Sequence, residues 1–407
     1  MTSQTFNIDA VRSNFPFLNH LINGHSLVYL DSAATTQKPI QVIDCINTFY
    51  SGAIANVHRG SYSLTGSITN RFETARKTVA GFLGADNDCI IWTRGATEAL
   101  NLIAQSYGRQ TLKPGDEIMI SEMEHHANIV PWQLIAEQTG AKVVKWSIDP
   151  ISCTLDMIAY KNLLNDKTKI VAVSHISNVT GTLNPLKDII KKAHEYGVVV
   201  VVDGAQAVVH EPIDVNAIDA DFYVFSGHKL FAPSGIGVLY GKAALLDVMP
   251  PWHGGGKMVE KVSFEGTLFA DSPAKFEAGT PNVAGALALE KAILWFNSLD
   301  KKKAKQHIAS LQSQLILGIR DIDDLNIIGL QQGANVVAFT VEGVHHSDIA
   351  ILLDQQGIAV RSGRHCAHPL MDVLGIKGCV RVSIALYNTS DEIERCITAI
   401  QKACNLL

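Results

Sequence analysis

The sequence contains an aspartate and a lysine that could act together on one cofactor ring. Asp203 ends the apolar run Val198–Asp203, where an unpaired carboxylate is costly to bury and a protonated pyridine nitrogen would suit it. Lys229 follows the apolar run Phe222–Phe225, and desolvation there would turn its amine into a Schiff-base nucleophile. Taken alone, Asp203 is better explained as a helix N-cap or a structural ion pair, and Lys229 as part of a surface turn. Together they favour a pyridoxal ring held between them.

A pyridoxal cofactor also needs a site for its phosphate. In the segment RGATEALN, Gly95, Ala96 and Thr97 stand at the start of a predicted helix. Free backbone N–H groups and a hydroxyl in that position suit a phosphate, and Ser226 and His228 could add donors from the other side. An ordinary Gly-Thr helix start is an equally good explanation of this segment alone.

The face of the ring needs a platform. In the segment EHHAN, His125 and His126 follow a predicted strand, and one imidazole could stack on the ring and carry protons. Gln206, in the segment DGAQ, could form a hydrogen bond with the ring hydroxyl. A loop with two histidines and no catalytic role is the alternative. The groups occur in the order phosphate site, stacking histidine, ring aspartate and lysine, each at a strand end, which favours a cofactor site.

Strands and helices that could position these residues alternate along the middle of the chain. The predicted strands are Cys89–Trp92, Glu117–Ser121, Lys142–Trp146, Lys169–His175, Val198–Asp203, Phe222–Phe225 and Ile236–Tyr240. Predicted helices between them include Thr97–Tyr107, Pro131–Thr139 and Leu186–Tyr196. The alternation predicts an α/β fold with a mainly parallel seven-stranded sheet covered on both faces, with Val198–Asp203 as a central strand. Ligands of such sheets bind beyond the carboxyl ends of the strands.

The pattern changes after about Gly285, and 407 residues exceed the size at which single cores usually stop growing. Helical stretches, three strands and a last helix follow, at Ala286–Ser298, Ala304–Ile319, Val336–Thr340, Ala359–Arg361, Val380–Ile384 and Ser390–Leu406. We therefore expect a large cofactor-binding domain at residues 21–285 and a smaller α+β domain at 286–407. Residues 1–20 are expected to pack on the small domain.

Composition and charge limit the classes of partner. Hydrophobic residues make up 47% and charged residues 18% of the sequence, as in globular proteins. A net charge of -5 gives no reason to expect nucleic acid or an anionic membrane as partner. No apolar run is long enough to span a bilayer and Met1–Phe17 resembles no targeting signal, so we expect a cytoplasmic protein. Seven cysteines without a CxxC pair argue against a disulfide framework and a structural zinc site.

One cysteine lies in a segment that favours its thiolate. In RSGRHCAHPL, positive groups surround Cys366, namely Arg361, Arg364, His365 and His368. A buried, inert thiol is the usual state of a free cysteine, and it is the better interpretation of Cys45, Cys89, Cys153, Cys379, Cys396 and Cys404. Zinc bound by His365, Cys366 and His368 is an alternative that fits no common ligand spacing.

The chain resembles the fold-type I pyridoxal-phosphate enzymes of the class V aminotransferase family. It is most similar to the group II cysteine desulfurases of the SUF/CSD type, also called selenocysteine lyase-like enzymes. The matching segments lie between about residues 20 and 390 and are YLDSAATTQKP, NVHRG, RGATE, EHHANIVPW, SNVTGT, DGAQAVVH, FYVFSGHKLFAPSGIGVLYG, FEAGTPN, RSGRHCAHPL and RVSIALYNT. The resemblance implies pyridoxal 5′-phosphate as cofactor and a homodimer with active sites at the subunit interface. It implies that L-cysteine is converted to L-alanine with a persulfide left on Cys366, and that L-selenocysteine is also a substrate.

The resemblance also assigns roles to single residues. The cofactor residues it implies are Lys229 as the Schiff-base lysine, His125 as the stacking acid and base, Asp203 and Gln206 at the ring, and Gly95, Ala96, Thr97, Ser226 and His228 at the phosphate. Thr280 would reach the partner subunit's phosphate. The substrate-binding residues it implies are Arg381, Asn178, Arg361 and His58. Cys366 would accept the sulfur and pass it to a SufE/CsdE-like acceptor protein.

Two positions depart from the family pattern. Ala96 stands where many relatives have threonine, which removes one possible phosphate donor. Arg364 replaces a residue that is often His or Gln, and it could favour the thiolate or repel a basic partner. Another class V enzyme, such as an aminotransferase, epimerase or kynureninase-like hydrolase, would use Lys229 and Asp203 without needing Cys366. A non-catalytic sulfur carrier would not need the lysine, the ring aspartate and the substrate arginine together.

Overall fold

Short strands and helices alternate along most of the chain, as its apolar periodicity predicts. A computed structural model describes residues 6–52, 54–58, 60–329 and 335–407. The strands are Leu21–Ile22 (β1), His25–Ser26 (β2), Val28–Tyr29 (β3), Ile90–Thr93 (β4), Glu117–Ser121 (β5), Lys142–Trp146 (β6), Thr168–Ser174 (β7), Val199–Asp203 (β8), Phe222–Ser226 (β9), Gly237–Gly241 (β10), Val259–Ser263 (β11), Gly266–Phe269 (β12), Leu325–Ile328 (β13), Val336–Val341 (β14), Ile358–Ala359 (β15), Arg361–Gly363 (β16) and Cys379–Ser383 (β17). The α-helices are Ile8–Arg12 (α1), Ile40–Ser51 (α2), Ser63–Leu83 (α3), Ala96–Ile103 (α4), Arg109–Thr111 (α5), Val130–Thr139 (α6), Met157–Leu163 (α7), Leu186–His194 (α8), Ala243–Val248 (α9), Val283–Asn297 (α10), Lys301–Ile319 (α11), His346–Asp354 (α12), His368–Val373 (α13) and Ser390–Leu406 (α14).

The large sheet consists of the seven predicted strands in the order β4-β10-β9-β8-β7-β5-β6. Strands β6, β5, β7, β8 and β9 are parallel, whereas β10 runs antiparallel to both of its neighbours. Strand β8 is central, and Val200, Val201 and Val202 are fully buried between the layers. Because parallel strands end at the same edge, Ser174 lies beside Asp203 there. The predicted fold class is confirmed.

Apolar side chains cover the sheet on both faces. On one face Leu100 of α4 and Trp132 of α6 pack in a cluster with strand residues such as Val201. On the other face α3, α8 and α10 contribute to a larger cluster that continues into the C-terminal part of the chain. Burial on both faces explains why these strands are rich in β-branched residues. The packed layers also hold the strand ends in place at one edge of the sheet.

The C-terminal part contains a four-stranded antiparallel sheet in the order β13-β14-β17-β16. The N-terminal part of the chain packs on this C-terminal part, since β3 pairs in parallel with β15 and Arg12 Nη2 lies 2.6 Å from Glu392 Oε1. These contacts involve residues beyond residue 20. The domain boundaries at residues 20 and 285 remain a prediction.

Some predicted elements differ from those observed. The predicted strand Ala359–Arg361 is divided into β15 and β16, since the first pairs with β3 and the second with β17. The predicted helix Thr97–Tyr107 ends as an α-helix at Ile103 and continues as a π-helical segment, Ala104–Gly108. The sequence analysis predicts neither α2 and α3 nor the hairpin of β11 and β12, whose side chains are mostly exposed.

Candidate active site

A cavity of about 300 Å³ lies beyond the carboxyl ends of β7, β8 and β9. Ser174, Asp203 and Ser226, the last residues of these strands, all line it. The other predicted site residues that line the cavity are Ala96, Thr97, His125, Asn178, Gln206, His228, Lys229, Arg361, Cys366 and Arg381. The topology therefore brings nearly all of the predicted site together, although these residues are spread over most of the sequence.

Asp203 and Lys229 are held at the ends of two adjacent parallel strands. Asp203 ends β8, and Lys229 lies in the short turn Gly227–Lys229 that follows β9. Asp203 Oδ1 accepts a hydrogen bond from Ala205 N at 2.9 Å. Burial lowers the pKa of Lys229 to about 8, partly offset by Asp203, and burial raises the pKa of Asp203 against the effect of Lys229. The pair can supply a reactive amine and a buried anion to one ligand.

The residues predicted to bind a phosphate line the cavity except for Gly95, and one backbone contact differs from the prediction. Ala96 N donates to Ser226 Oγ at 2.8 Å. This backbone N–H is therefore occupied, whereas the sequence predicts a free donor for the phosphate. Gly95 itself does not line the cavity, and a Cβ there would lie 3.2 Å from Ser226 Oγ. With Ser226 Oγ acting as acceptor, its hydroxyl hydrogen can point to a ligand beside Thr97 and His228.

His125 lies in a turn that is stabilised by hydrogen bonds to the buried carboxylate of Glu124. His125 Nδ1 accepts a hydrogen bond from Ala127 N at 3.0 Å, and burial, then Lys229, lowers the histidine pKa to about 4. The preceding Glu124 accepts from Asn128 Nδ2 at 2.7 Å and from Ser174 N at 2.9 Å. Burial raises the pKa of Glu124 to about 7. Glu124 is not among the predicted site residues. Its place in the segment EHHAN is the only feature of the sequence that points to its role.

The two arginines of the predicted substrate site share one aspartate. Arg381 Nη1 donates to Asn178 O at 2.9 Å, and Arg381 Nη2 donates to Asp31 Oδ1 at 3.1 Å. Arg361 Nη2 donates to Asp31 Oδ2 at 2.8 Å. Asp31 is not among the predicted site residues. A carboxylate directly after the apolar run Leu27–Leu30 is the signal that could have identified it.

Cys366 lies on a loop that connects β16 to α13. Gly363, His365 and Cys366 have φ values of 120°, 50° and 54°, and positive φ is uncommon for residues other than glycine. The loop is bound to the sheet side of the cavity by His126 N, which donates to Cys366 O at 2.7 Å, and by Asn178 Nδ2, which donates to His365 O at 2.8 Å. His126 Nε2 also accepts from His368 N at 3.1 Å.

The seven cysteines, all within the described residues, fall into two groups. Cys366 is exposed, whereas the others are buried or partly buried. Burial raises the pKa of all six other thiols, to about 11 in Cys153 and about 12 in Cys379 and Cys396. The prediction that these six are inert agrees with their burial.

His58 and Thr280 lie outside the cavity of Lys229. Thr280 Oγ1 accepts a hydrogen bond from Asn56 Nδ2 at 3.3 Å, and His58 Nε2 lies 3.6 Å from Glu73 Oε1. The fold therefore brings Asn56 and Thr280 together, while neither His58 nor Thr280 lines the cavity that holds the other predicted site residues.

Among the described residues, His, Cys, Asp and Glu side chains form no cluster of three or more suited to a metal ion. His365 Nε2 lies 3.2 Å from Cys379 O, and the ring of His368 packs against His126. Within the same residues, no helix has the length and apolar character needed to cross a membrane.

The likeness to known proteins extends over the whole chain. Residues 28–396 match the Aminotransferase class-V family. A probable cysteine desulfurase of Vibrio cholerae serotype O1 is 61% identical over 404 residues, which cover 98% of this chain and 99% of that protein. A cysteine desulfurase of Yersinia pestis (strain Pestoides F) is 48% identical, with 99% of both chains covered. The structure of the cysteine desulfurase CsdA (S-sulfonic acid) from Escherichia coli matches with a TM-score of 0.92 at 45% identity, covering 99% of this chain and 100% of that one.

Proposed function

Since the chain belongs to the class-V aminotransferase family, we propose that it acts as a cysteine desulfurase with pyridoxal 5′-phosphate held in the Lys229 cavity. The resemblance seen in the sequence and the predicted enzyme activity are both confirmed by the full-length likeness to cysteine desulfurases. The observation that carries the proposed site is that partly buried Lys229 and buried Asp203 line the same cavity as exposed Cys366. A pyridoxal enzyme of another kind would need the first two residues but not the third.

The residues of the cavity fit this cofactor. Asp203 uses Oδ1 for Ala205 N, which leaves Oδ2 for a pyridine N–H. The lowered pKa of about 8 increases the neutral fraction of the Lys229 amine near neutral pH, and the neutral amine is the form that covalent attachment requires. Thr97, Ser226 and His228 supply donors for the phosphate, His125 a ring for stacking, and Gln206 a side-chain amide at the ring. Pyridoxal phosphate, when bound, supplies an electron sink for negative charge on the substrate carbon.

Each step assigned to the protein uses a group that lines the cavity. Arg381, Arg361 and Asn178 bind the substrate carboxylate, and Lys229 Nζ removes the proton from the α-carbon. Cys366 Sγ, as thiolate, then attacks the substrate sulfur, and the electrons of the broken C–S bond remain on the β-carbon. Protonation of that carbon, with His125 as the nearby acid and base, and return of a proton from Lys229 to the α-carbon give alanine, while Cys366 retains the sulfur as a persulfide. L-selenocysteine is proposed as a second substrate because its C–Se bond is weaker.

Residues outside the cavity support the proposal of a homodimer. The resemblance implies that His58 and Thr280 are site residues, yet both lie outside the Lys229 cavity of their own chain, which supports a site completed by a second subunit. The hairpin of β11 and β12 exposes Val262, Phe264 and Leu268, an apolar surface that a second subunit could cover. The exposed position of Cys366 suits transfer of the sulfur to a SufE/CsdE-like acceptor protein.

The products formed from L-cysteine test the proposed function. We expect the purified enzyme, loaded with pyridoxal phosphate and given a reductant, to release alanine and sulfide in equal amounts. Addition of an acceptor protein should raise the rate by removing the persulfide. Formation of a keto acid without alanine would identify an aminotransferase and contradict the proposal.

A further inference from the structure

Two arginines of the substrate region lie directly opposite each other on neighbouring strands. The antiparallel register of β16 and β17 pairs Arg361 with Arg381. Like charges at opposed positions destabilise a strand pair, and the Arg381 side chain is only 3% exposed. Burial lowers the pKa of Arg381, and the charge of Arg361 acts in the same direction. This arrangement requires an anion to hold both guanidinium groups in place.

Asp31 supplies this anion from the N-terminal part of the chain. Its Oδ1 accepts from Arg381 Nη2 and from Arg361 Nε, both at 3.1 Å, and its Oδ2 accepts from Arg361 Nη2 at 2.8 Å. The Asp31 side chain is 13% exposed, so water screens these charge-assisted hydrogen bonds only weakly. One carboxylate therefore orients two arginines that would otherwise repel each other.

The position of Asp31 is fixed by backbone contacts that do not involve the arginines. Asp31 follows β3, which pairs with β15, and it forms a parallel bridge with Ser383 of β17. Its carbonyl accepts a hydrogen bond from Ala34 N at 3.1 Å. The main chain therefore holds the Asp31 carboxylate beside the two arginines independently of the arginine side chains.

A guanidinium group carries five N–H donors, and the hydrogen bonds to Asp31 and Asn178 use only some of those on the two arginines. Arg361 and Arg381 line the cavity, whereas Asp31 does not. Among the described residues, the buried Nε of Arg381 has no hydrogen-bond partner. The two arginines and Asp31 together carry one net positive charge, which matches a single α-carboxylate.

We propose that Asp31 is a positioning residue, which aligns Arg361 and Arg381 to bind the α-carboxylate of the amino-acid substrate. The proposal rests on the proposed function, because it assumes that the carboxylate of an amino acid binds at these arginines. Loss of Asp31 leaves the half-exposed Arg361 free to turn towards solvent, so substrate binding weakens while the groups that carry out the reaction stay in place.

Steady-state kinetics of the loaded Asp31→Asn enzyme test this role. We expect KM for L-cysteine to rise about tenfold or more and kcat to change less than about threefold, as for a lost charge-assisted contact to a ground-state ligand. Asp31→Glu, which keeps the charge, should show a smaller rise in KM and provides a second variant if Asp31→Asn is unstable. An unchanged KM in both variants, or a lower one, would overturn the proposal.

A binding measurement separates this proposal from the proposed function. L-alanine has the α-carboxylate but no sulfur, and its binding can be followed by the absorbance of the bound cofactor. We expect its Kd to rise by a similar factor in Asp31→Asn, even if the wild-type enzyme forms no alanine from cysteine. Glu392→Gln is the matched control, because it removes the carboxylate of the Arg12 ion pair between the same two parts of the chain. An equal rise in Kd in this control would show that Asp31 acts only by attaching the N-terminal part.

Discussion

The cavity has two walls that the fold builds in different ways. On the sheet wall, Asp203 and Lys229 follow two neighbouring buried strands, and burial shifts the pKa of both groups. On the loop wall, Cys366 is exposed and stands on a loop with left-handed φ values. A few hydrogen bonds, from His126 and Asn178, hold this loop against the sheet wall.

The difference corresponds to the two halves of the proposed reaction. A covalently held cofactor needs groups with fixed positions and shifted pKa values, which a buried sheet edge provides. A thiol that takes up sulfur and then gives it to another protein needs access to solvent, which burial would prevent. The other six thiols, which are buried or partly buried, illustrate the cost, since burial raises the pKa of each of them.

The largest effect should come from Lys229→Ala on the sheet wall. Loss of the amine removes both covalent attachment and the proposed proton transfer, so we expect activity to fall by about 100- to 10,000-fold or more. Borohydride treatment followed by peptide mass spectrometry should find the cofactor on Lys229 in the wild type and on no peptide of the variant. A reducible cofactor retained by the variant would show that another lysine is used.

Asp203→Ala should have the next largest effect. Removal of a preorganised charge partner of the ring should lower kcat by roughly 100-fold, with the cofactor still attached to Lys229. The absorbance of the cofactor measures its occupancy independently of turnover. A rate close to that of the wild type would mean that Asp203 has only a structural role.

On the loop wall, His126→Ala should have a smaller effect. The substitution removes the acceptor for His368 N but leaves the backbone donor to Cys366 O. One hydrogen bond is worth about 1 kcal/mol, so we expect persulfide formation to slow about fivefold while the cofactor spectrum stays unchanged. A loss as large as that of Asp203→Ala would contradict the distinction between the two walls.

The smallest expected effect is the pH dependence of this contact. Burial, with a contribution from His368, lowers the pKa of His126 below its unfolded value of about 6.5. A histidine whose pKa is lower in the folded state stabilises the fold at pH values above its unfolded pKa. This contribution is lost as the pH falls through the lowered, folded-state pKa. The difference in Tm between wild type and His126→Ala should therefore shrink between pH 7.5 and 5. A difference that grows on acidification would show that His126 is bound in its charged form.

The sheet wall could be predicted largely from the sequence. Each buried strand appears as an apolar run, and the polar residues of its carboxyl end follow directly, so Asp203 and Lys229 are placed by local pattern.

Helix α3 has a polar first half, SLTGSITNR, and this explains why its pattern gives no clear prediction. The division between β15 and β16 depends on their different partner strands, which local sequence does not encode.

The arginine site could be predicted only in part. Arg361 and Arg381 lie in segments that resemble the family, but their contact with Asp31 depends on pairing between the two ends of the chain. The displaced positions of His58 and Thr280 likewise follow from tertiary packing. Long-range pairing of this kind leaves no periodicity in the sequence.

The location of the transferred sulfur tests the division between the two walls most directly. After one equivalent of L-cysteine is added to the loaded enzyme, peptide mass spectrometry should find one extra sulfur on the peptide that contains Cys366. The variant Cys366→Ala should keep the cofactor and bind substrate, yet form little alanine from cysteine. Alanine formation at the wild-type rate in this variant, or an extra sulfur on any of the other six cysteines, would contradict the account.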